Sequence, residues 1–304
     1  MKSVPVIHNP TCALHDPGAG HPERPERMAA VLAALGGGGG PELTSVVEFL
    51  EARPATRAQL ERVHAARYLD ALEGVARMGG GALDADTVMS RDSWDAAIAA
   101  AGVAIGAVDE GIGRGSAFGV TRPPGHHALA DRAMGFCLIN NVVVAARHAQ
   151  TLGKARVLIV DWDVHHGNGT QALVERDPSI RYVSMHQYPW YPGTGAEGDR
   201  GVGNVFNVPR PPGLPRATYV RDLLAAVERA LTGWSPDLVL VSAGFDSLSG
   251  DPLGGFTLEP DDMTHWTKEL RARVAPAPAV GVLEGGYRLD LLGAGARAHV
   301  RALA

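Results

Sequence analysis

Short apolar runs recur along the whole chain with helical stretches between them, and that alternation confines the fold more than any other feature. The runs are residues 4–7, 117–120, 157–160, 181–184, 238–241 and 279–283. Apolar residues at helical spacing fill 24–35, 94–110, 141–152, 216–231 and 260–274. Alternation of this kind builds a mostly parallel sheet with helices on both faces. The fold class is therefore α/β, and one large domain over residues 1–304 is expected. Residues 36–40 read as a flexible glycine loop and residues 209–215 as a rigid proline loop, neither long enough to separate domains.

Composition then narrows the function classes. Hydrophobic residues are 45% and charged residues 20% of the chain, apolar enough for a large core and too mixed for disorder. The 28 basic residues, only three of them lysines, are scattered against 33 acidic ones, so no basic patch points to nucleic acid or an anionic membrane. Runs such as 142–146 and 157–160 fall far short of the ~18 to 20 residues of a membrane span. Two cysteines, Cys12 and Cys137, make no disulfide framework, and no apolar signal-type stretch follows Lys2. The expectation is a cytoplasmic protein with neither membrane nor nucleic-acid partners.

The chemistry sits just beyond the apolar runs. Four of them lead into Thr-Arg-Pro-Pro-Gly-His-His, Asp-Trp-Asp-Val-His-His-Gly-Asn, Ser-Ala-Gly-Phe-Asp and Glu-Gly-Gly-Tyr. In an open α/β sheet ligands bind at the carboxyl ends of the strands, so segments far apart in sequence can converge there.

Each motif has a functional and a plainer reading. If extended geometry continues, alternation puts Asp161, Asp163 and His165 on one side, which suits metal coordination; the alternative is a loop whose acids cap the next helix. Asp246, ending another strand, is the natural third ligand or else a helix N-cap. A His/Asp/Asp set leaves a fourth position for water, as catalytic zinc sites do. After a Pro-Gly turn, His126 and His127 can face one pocket as general base and acid, with Asp161 left over to orient a ring. The plainer reading is a second pair of metal ligands or two structural histidines. Tyr287 either donates its hydroxyl to a developing oxyanion or is a buried phenol. Residues 193–198 match G-x-G-x-x-G but come after an aromatic-proline segment rather than a strand, so the dinucleotide reading lacks its context. The glycines of 36–40 lack the Gly-Lys-Ser/Thr ending of a phosphate loop.

Taken together, RPPGHHA (122–128), MGFCLINN (134–141), DWDVHHGNGTQ (161–171), SAGFDSLSGDPLGG (242–255) and LEGGY (283–287) resemble the histone deacetylase family in order and context. HPERPERM (21–28) matches as well, and Trp162 and Asn168 are similar to the class II and bacterial branch. The resemblance implies an arginase/deacetylase-like α/β fold with a central eight-stranded, mostly parallel sheet, and zinc-dependent hydrolysis of acetylated amines. It implies one zinc per chain, with Fe²⁺ as an alternative metal, on Asp163, His165 and Asp246. His127 takes the general base/acid position, His126 that of its electrostatic partner, and Asp161 that of the partner of His126. Asn168 stands where class I enzymes carry an aspartate, and Tyr287 where the carbonyl-polarising tyrosine is found. Phe136 and Tyr191 match the tunnel walls, Tyr191 where phenylalanine is usual, with Gly135 beside them and Leu253 and Asp86 at the rim. Arg27 corresponds to the arginine of the acetate-release channel. A structural potassium ion would use the Asp161 side chain, Ser184 and backbone carbonyls of Asp163, His165 and Met185.

A two-metal, arginase-type reaction would want a further acid beside Asp246, and position 248 is leucine. The candidate substrates are an acetyl-lysine peptide, an acetylpolyamine and a small acetylated metabolite. Residues 78–94 show no long insertion of the acetylpolyamine amidohydrolase kind, and the Lys-poor composition is of bacterial type. A non-catalytic protein that binds acetylated ligands is the reading from another class. Oligomeric state is not legible.

Overall fold

A computed structural model describes residues 3–36 and 46–304. Its strands are β1 (Val4–His8), β2 (Val47–Glu51), a hairpin of β3 (Gly80–Ala82) and β4 (Val88–Ser90), β5 (Ser116–Gly119), β6 (Val157–Asp161), β7 (Ile180–Gln187), β8 (Val205–Arg210), β9 (Leu238–Ala243) and β10 (Ala279–Leu283). Eight of them form one sheet in the order β2-β1-β5-β10-β9-β6-β7-β8, and every pairing in it is parallel. This is the eight-stranded sheet that the resemblance implied.

The central strands Val-Leu-Ile-Val-Asp, Leu-Val-Leu-Val-Ser-Ala and Ala-Val-Gly-Val-Leu are buried along their whole length, as strands covered on both faces must be. Residues 280 and 281 of β10 show the two layers. Gly111 of the Ser93–Arg114 helix packs on Val280 from one side, and His299 of the Leu289–Leu303 helix lies against Gly281 from the other.

Several elements escape the pattern reading. Strands β2 and β8 form the two edges of the sheet. β2 carries two glutamates among its five residues and β8 contains Pro209, features that edge strands tolerate and central strands do not. Residues 209–215 are therefore not wholly a loop: Pro209 and Arg210 belong to β8, and the turn begins at Pro211. The Leu289–Leu303 helix is disguised by Gly293 and Gly295, whose missing side chains admit Ala34 and Phe245. The helices Ala66–Arg77 and Asn168–Val174 and the β3–β4 hairpin are likewise found only in the structure. Residues 37–40 of the glycine run lie outside the described residues.

Apolar length needs a correction. The Ser93–Arg114 helix, rich in alanine and glycine, is long and apolar enough to cross a bilayer by length and composition, with mean hydropathy 1.4. Two thirds of that window is buried in the fold, which accounts for its apolar character without a membrane.

The sheet order has one consequence for function. The four strands whose carboxyl ends carry the motifs, β5, β10, β9 and β6, are consecutive neighbours in the middle of the sheet. The segments leaving them therefore share one edge, which is where an α/β sheet builds its sites.

Candidate active site

The segment after β5 is shaped by buried polar groups. Glu284, at the end of β10, accepts hydrogen bonds from the backbone N–H of Gly125 (2.7 Å) and His126 (3.1 Å) and from the Ser242 hydroxyl (3.1 Å). Asn141 donates to the carbonyl of Pro123 at 3.1 Å. Held this way, the rings of His126 and His127 lie 4.0 Å apart, centroid to centroid. The Pro-Gly turn thus sets the two imidazoles side by side, but only His127 reaches the cavity described below.

Their partners differ. His126 Nδ1 lies 3.1 Å from Asp161 Oδ2, while His127 Nδ1 lies 2.8 Å from Asn168 Oδ1, a neutral amide. Burial opposes the His126 imidazolium, but Asp163 and Asp161 outweigh it and raise the group to about 10. Burial, then repulsion from His126 and His165, pushes His127 well below its ordinary value. One ring is kept charged and its neighbour neutral.

Strand β6 ends at Asp161, whose carboxylate accepts from the Tyr182 hydroxyl at 2.9 Å and from the backbone N–H of Asp163 at 3.2 Å. Alternation stops there, and Asp161 turns to His126 rather than joining Asp163 and His165. Asp163 Oδ1 accepts from His165 N (2.9 Å) and its Oδ2 from Gly285 N (2.8 Å); Asp246 Oδ1 accepts from Val164 N (2.9 Å). Each carboxylate is thereby aimed by a backbone N–H, and His165 Nδ1 sits 3.0 Å from Asp163 Oδ1 and 3.2 Å from Asp246 Oδ2.

The residues fit a metal ion on three counts. Potential ligand atoms of Asp163, His165 and Asp246 all lie within 4.8 Å of one another, and this is the one such group among the described residues. Asp246 Oδ2 is buried and makes no well-aligned hydrogen bond, its one polar neighbour being His165 Nδ1 at 3.2 Å, an arrangement costly for a carboxylate oxygen unless a cation completes it. Finally, Gly285 and Gly244 clear the space: a Cβ there would stand 2.1 Å from Asp246 Oδ2 and 2.2 Å from Asp163 Oδ2, respectively. Without an ion the two acids compete. Burial and then Asp163 raise Asp246 to about 7; Asp163 falls below the carboxylate range despite burial, under His126 and His165.

A cavity of about 200 Å³ leads to these groups. His127 and His165, nearly buried, are at its floor, and Phe136, Tyr191 and Tyr287 form its walls. Asp86, Trp190 and Leu253 stand at the more exposed end, where the Trp190 indole N–H donates to the Leu253 carbonyl at 2.9 Å. Gly135 lines the cavity with φ +56°, and a Cβ there would meet the His127 ring at 2.4 Å. Burial raises the Tyr287 phenol well above its usual value, so it stays protonated.

Arg27 does not line this cavity. It is wholly buried and donates to the carbonyls of Gly286 (2.6 Å) and Glu284 (2.5 Å), with its guanidinium 5.0 Å from the Tyr287 ring centroid. Ser184 pairs with Asp161 across β6 and β7, and its hydroxyl lies 2.9 Å from His186 Nδ1; Met185 is next in the strand, buried. Gly195 of the G-x-G-x-x-G match belongs to no nucleotide loop: it packs on the rings of His186 and His166.

Pattern reasoning missed Glu284, although it opens the quoted Glu-Gly-Gly-Tyr segment. It also missed Glu23, a buried carboxylate shared by Arg27 (3.1 Å), Arg122 (2.8 Å) and His15 (3.3 Å). Burial would raise that carboxyl, but His15 and the two arginines hold it well below the usual range. The spacing of Glu23 and Arg27, four apart in HPERPERM, was the available signal. Trp190 had none.

Known proteins resemble this chain over most of its length. The histone deacetylase domain pattern matches residues 21–303. A histone deacetylase-like amidohydrolase of Pseudomonas aeruginosa is 39% identical over 280 residues, covering 88% of this chain and 73% of that one. The human polyamine deacetylase HDAC10 is 37% identical over 295 residues, 89% of this chain but 43% of that protein. The crystal structure of the HDA15 HD domain superposes with a TM-score of 0.93 at 36% identity, covering 99% of this chain and 88% of that one. The fold is the arginase/deacetylase fold.

Proposed function

The chain belongs to the histone deacetylase family, and from that membership we propose that it is a zinc-dependent amidohydrolase that removes acetyl groups from acetyl-lysine-like amines. The observation that carries the reading is the meeting, at the floor of one aromatic cavity, of His165 from the Asp163/His165/Asp246 set and His127, whose ring is backed by the differently partnered His126. One nitrogen and two carboxylates are a donor set that suits zinc and leaves a position open. A metal ion held there would polarise the acetyl carbonyl and acidify a water.

The rest falls to the chain. His127 donates its Nδ1 proton to Asn168, which leaves Nε2 with a lone pair to take a proton from the attacking water. His126, charged and paired with Asp161, stabilises negative charge developing beside it. Tyr287 donates its phenol to the oxyanion, and the proton held by His127 passes to the leaving amine. Phe136 and Tyr191 strip water from the acyl chain on its way in. Arg27, which grips the carbonyls on either side of Gly285, belongs to the acetate path in the same reading, and a potassium ion beside Asp161, Ser184 and Met185 would stiffen the β6–β7 end.

Leu253 at the mouth favours an acetyl-lysine substrate over one carrying an internal ammonium, since it offers a cation no counter-charge. The second reading, an acetylpolyamine, is favoured by Asp86 beside Trp190 and Tyr191. Acetate release from an acetyl-lysine peptide, acetylputrescine and acetylspermidine tests both. We expect activity with zinc, loss on chelation, return with Zn²⁺, and loss of both metal and activity in Asp163→Ala. Full activity and metal content in that variant would sink the assignment.

A further inference from the structure

The Asn168 amide has two ends, and only one of them suits His127. With Oδ1 toward His127 Nδ1, the ring carries its proton on Nδ1 and keeps a lone pair on Nε2. Flipped, the amide nitrogen would donate to Nδ1, and the proton would move to Nε2, the wrong atom for a base. A carboxylate at this position would need no such choice, having no donor end. This chain has an amide, so something must hold it.

The group on the other side of Asn168 is a thioether. Asn168 Nδ2 donates to Met134 Sδ at 3.3 Å, while Asn168 Oδ1 lies 2.8 Å from His127 Nδ1. Sulfur here can accept a hydrogen bond and has no hydrogen to give, so it faces the NH₂ end and repels the carbonyl end. Its position is itself constrained: paired backbone hydrogen bonds between Met134 and Cys137 (3.0 and 3.2 Å) close the turn. Gly135 in the same turn backs the His127 ring, so one short segment contacts both the ring and the amide that orients it.

We infer that Met134 is a positioning residue for His127: its sulfur holds the Asn168 amide with Oδ1 toward the imidazole and thereby selects the Nδ1–H tautomer. The tautomer is a property of the fold. Its value to the reaction rests on the deacetylase reading.

The test uses the zinc-loaded protein with ¹⁵N-labelled histidine, in which two-bond proton–nitrogen correlations identify the protonated ring nitrogen of His127. Wild type should show Nδ1–H. Met134→Leu keeps the bulk but removes the acceptor, and should introduce the Nε2–H form while lowering kcat about threefold to tenfold at unchanged KM, the factor that one weak hydrogen bond is worth. Met134→Glu, whose carboxylate again accepts and has no hydrogen to give, should restore the Nδ1–H form. In an Asn168→Asp background Met134→Leu should alter neither readout further, because a carboxylate has no end to flip.

Three results would overturn the inference: an Nε2–H tautomer in wild type, an unchanged tautomer in Met134→Leu, or an equal loss of kcat in the Asn168→Asp background, which would make Met134 a packing residue. The NMR readout needs no turnover. Failure of the deacetylase reading would appear separately, as absent acetate release with the tautomer shift intact.

Discussion

Adding one methyl group at Gly285 tests the metal site from its own geometry. A Cβ at this position would lie 2.1 Å from Asp246 Oδ2 and 2.5 Å from Asp163 Oδ2, between the two carboxylates. An ordinary carbon–oxygen contact is about 3.2 Å or longer, so the Asp246 oxygen must move by roughly 1 Å and the Asp163 oxygen by roughly 0.7 Å, whereas a metal–ligand bond tolerates about 0.2 Å. Neither carboxylate can yield freely, because Val164 N–H holds Asp246 and Gly285 N–H holds Asp163. One ligand is lost, and Gly285→Ala should weaken zinc binding by at least about 10², with kcat falling in step. Backbone strain is not the cause, since Gly285 is outside the left-handed region. Gly113→Ala is the control: nothing lies within 4 Å of its Cβ position on the Ser93–Arg114 helix, so it should bind zinc as wild type and gain about 0.5 to 1 kcal/mol of stability. Zinc affinity is measured by competition with a chromophoric chelator, with circular dichroism to show that the variant folds. A folded Gly285→Ala that binds zinc within threefold of wild type would refute the argument.

The same contacts set three other expected outcomes. Tyr287→Phe removes one hydroxyl, and kcat should fall by about 10² to 10³ with little change in KM; an unaltered kcat would make Tyr287 a wall of the cavity only. Leu253→Glu puts a charge at the mouth and should raise kcat/KM for acetylspermidine relative to an acetyl-lysine peptide, an effect that salt weakens; wild type preferring acetylspermidine tenfold or more would reverse the substrate assignment. Buried His299, beside Trp162 and Phe118, is lowered by burial to about 3. The unfolded chain binds its proton from about pH 6.5 downward and the folded chain does not. Relative to His299→Gln, wild type should therefore lose roughly 1.4 kcal/mol per pH unit between pH 6.5 and 3, and parallel urea midpoints for the two proteins would exclude this.

The chemistry of the site was legible because strands buried on both faces are continuous apolar runs, and the polar residues that end them stand out. Asp163, His165, Asp246, His126, His127 and Tyr287 all lie just beyond such runs. What ends a strand is local information. The edge strands β2 and β8 were illegible for the converse reason: glutamates and a proline dilute the apolar signal where one side of the strand has no partner.

Three matters needed the tertiary structure. Strand order is one: nothing local makes β5, β10, β9 and β6 adjacent, yet that adjacency turns four separate motifs into one site. Another is which of several acids serves which histidine. Asp161 and Asp163 are two residues apart, but Tyr182 and His126 take the first while Gly285, 122 residues away, takes the second. The last is the support layer, Glu284 under the histidine loop, Glu23 between two arginines, and Met134 behind Asn168. A side chain's chemistry can be read from its type and its place at a strand end. Its orientation is decided by hydrogen bonds and packing with residues brought near only when the sheet has assembled, and those distances have no trace in the order of the chain.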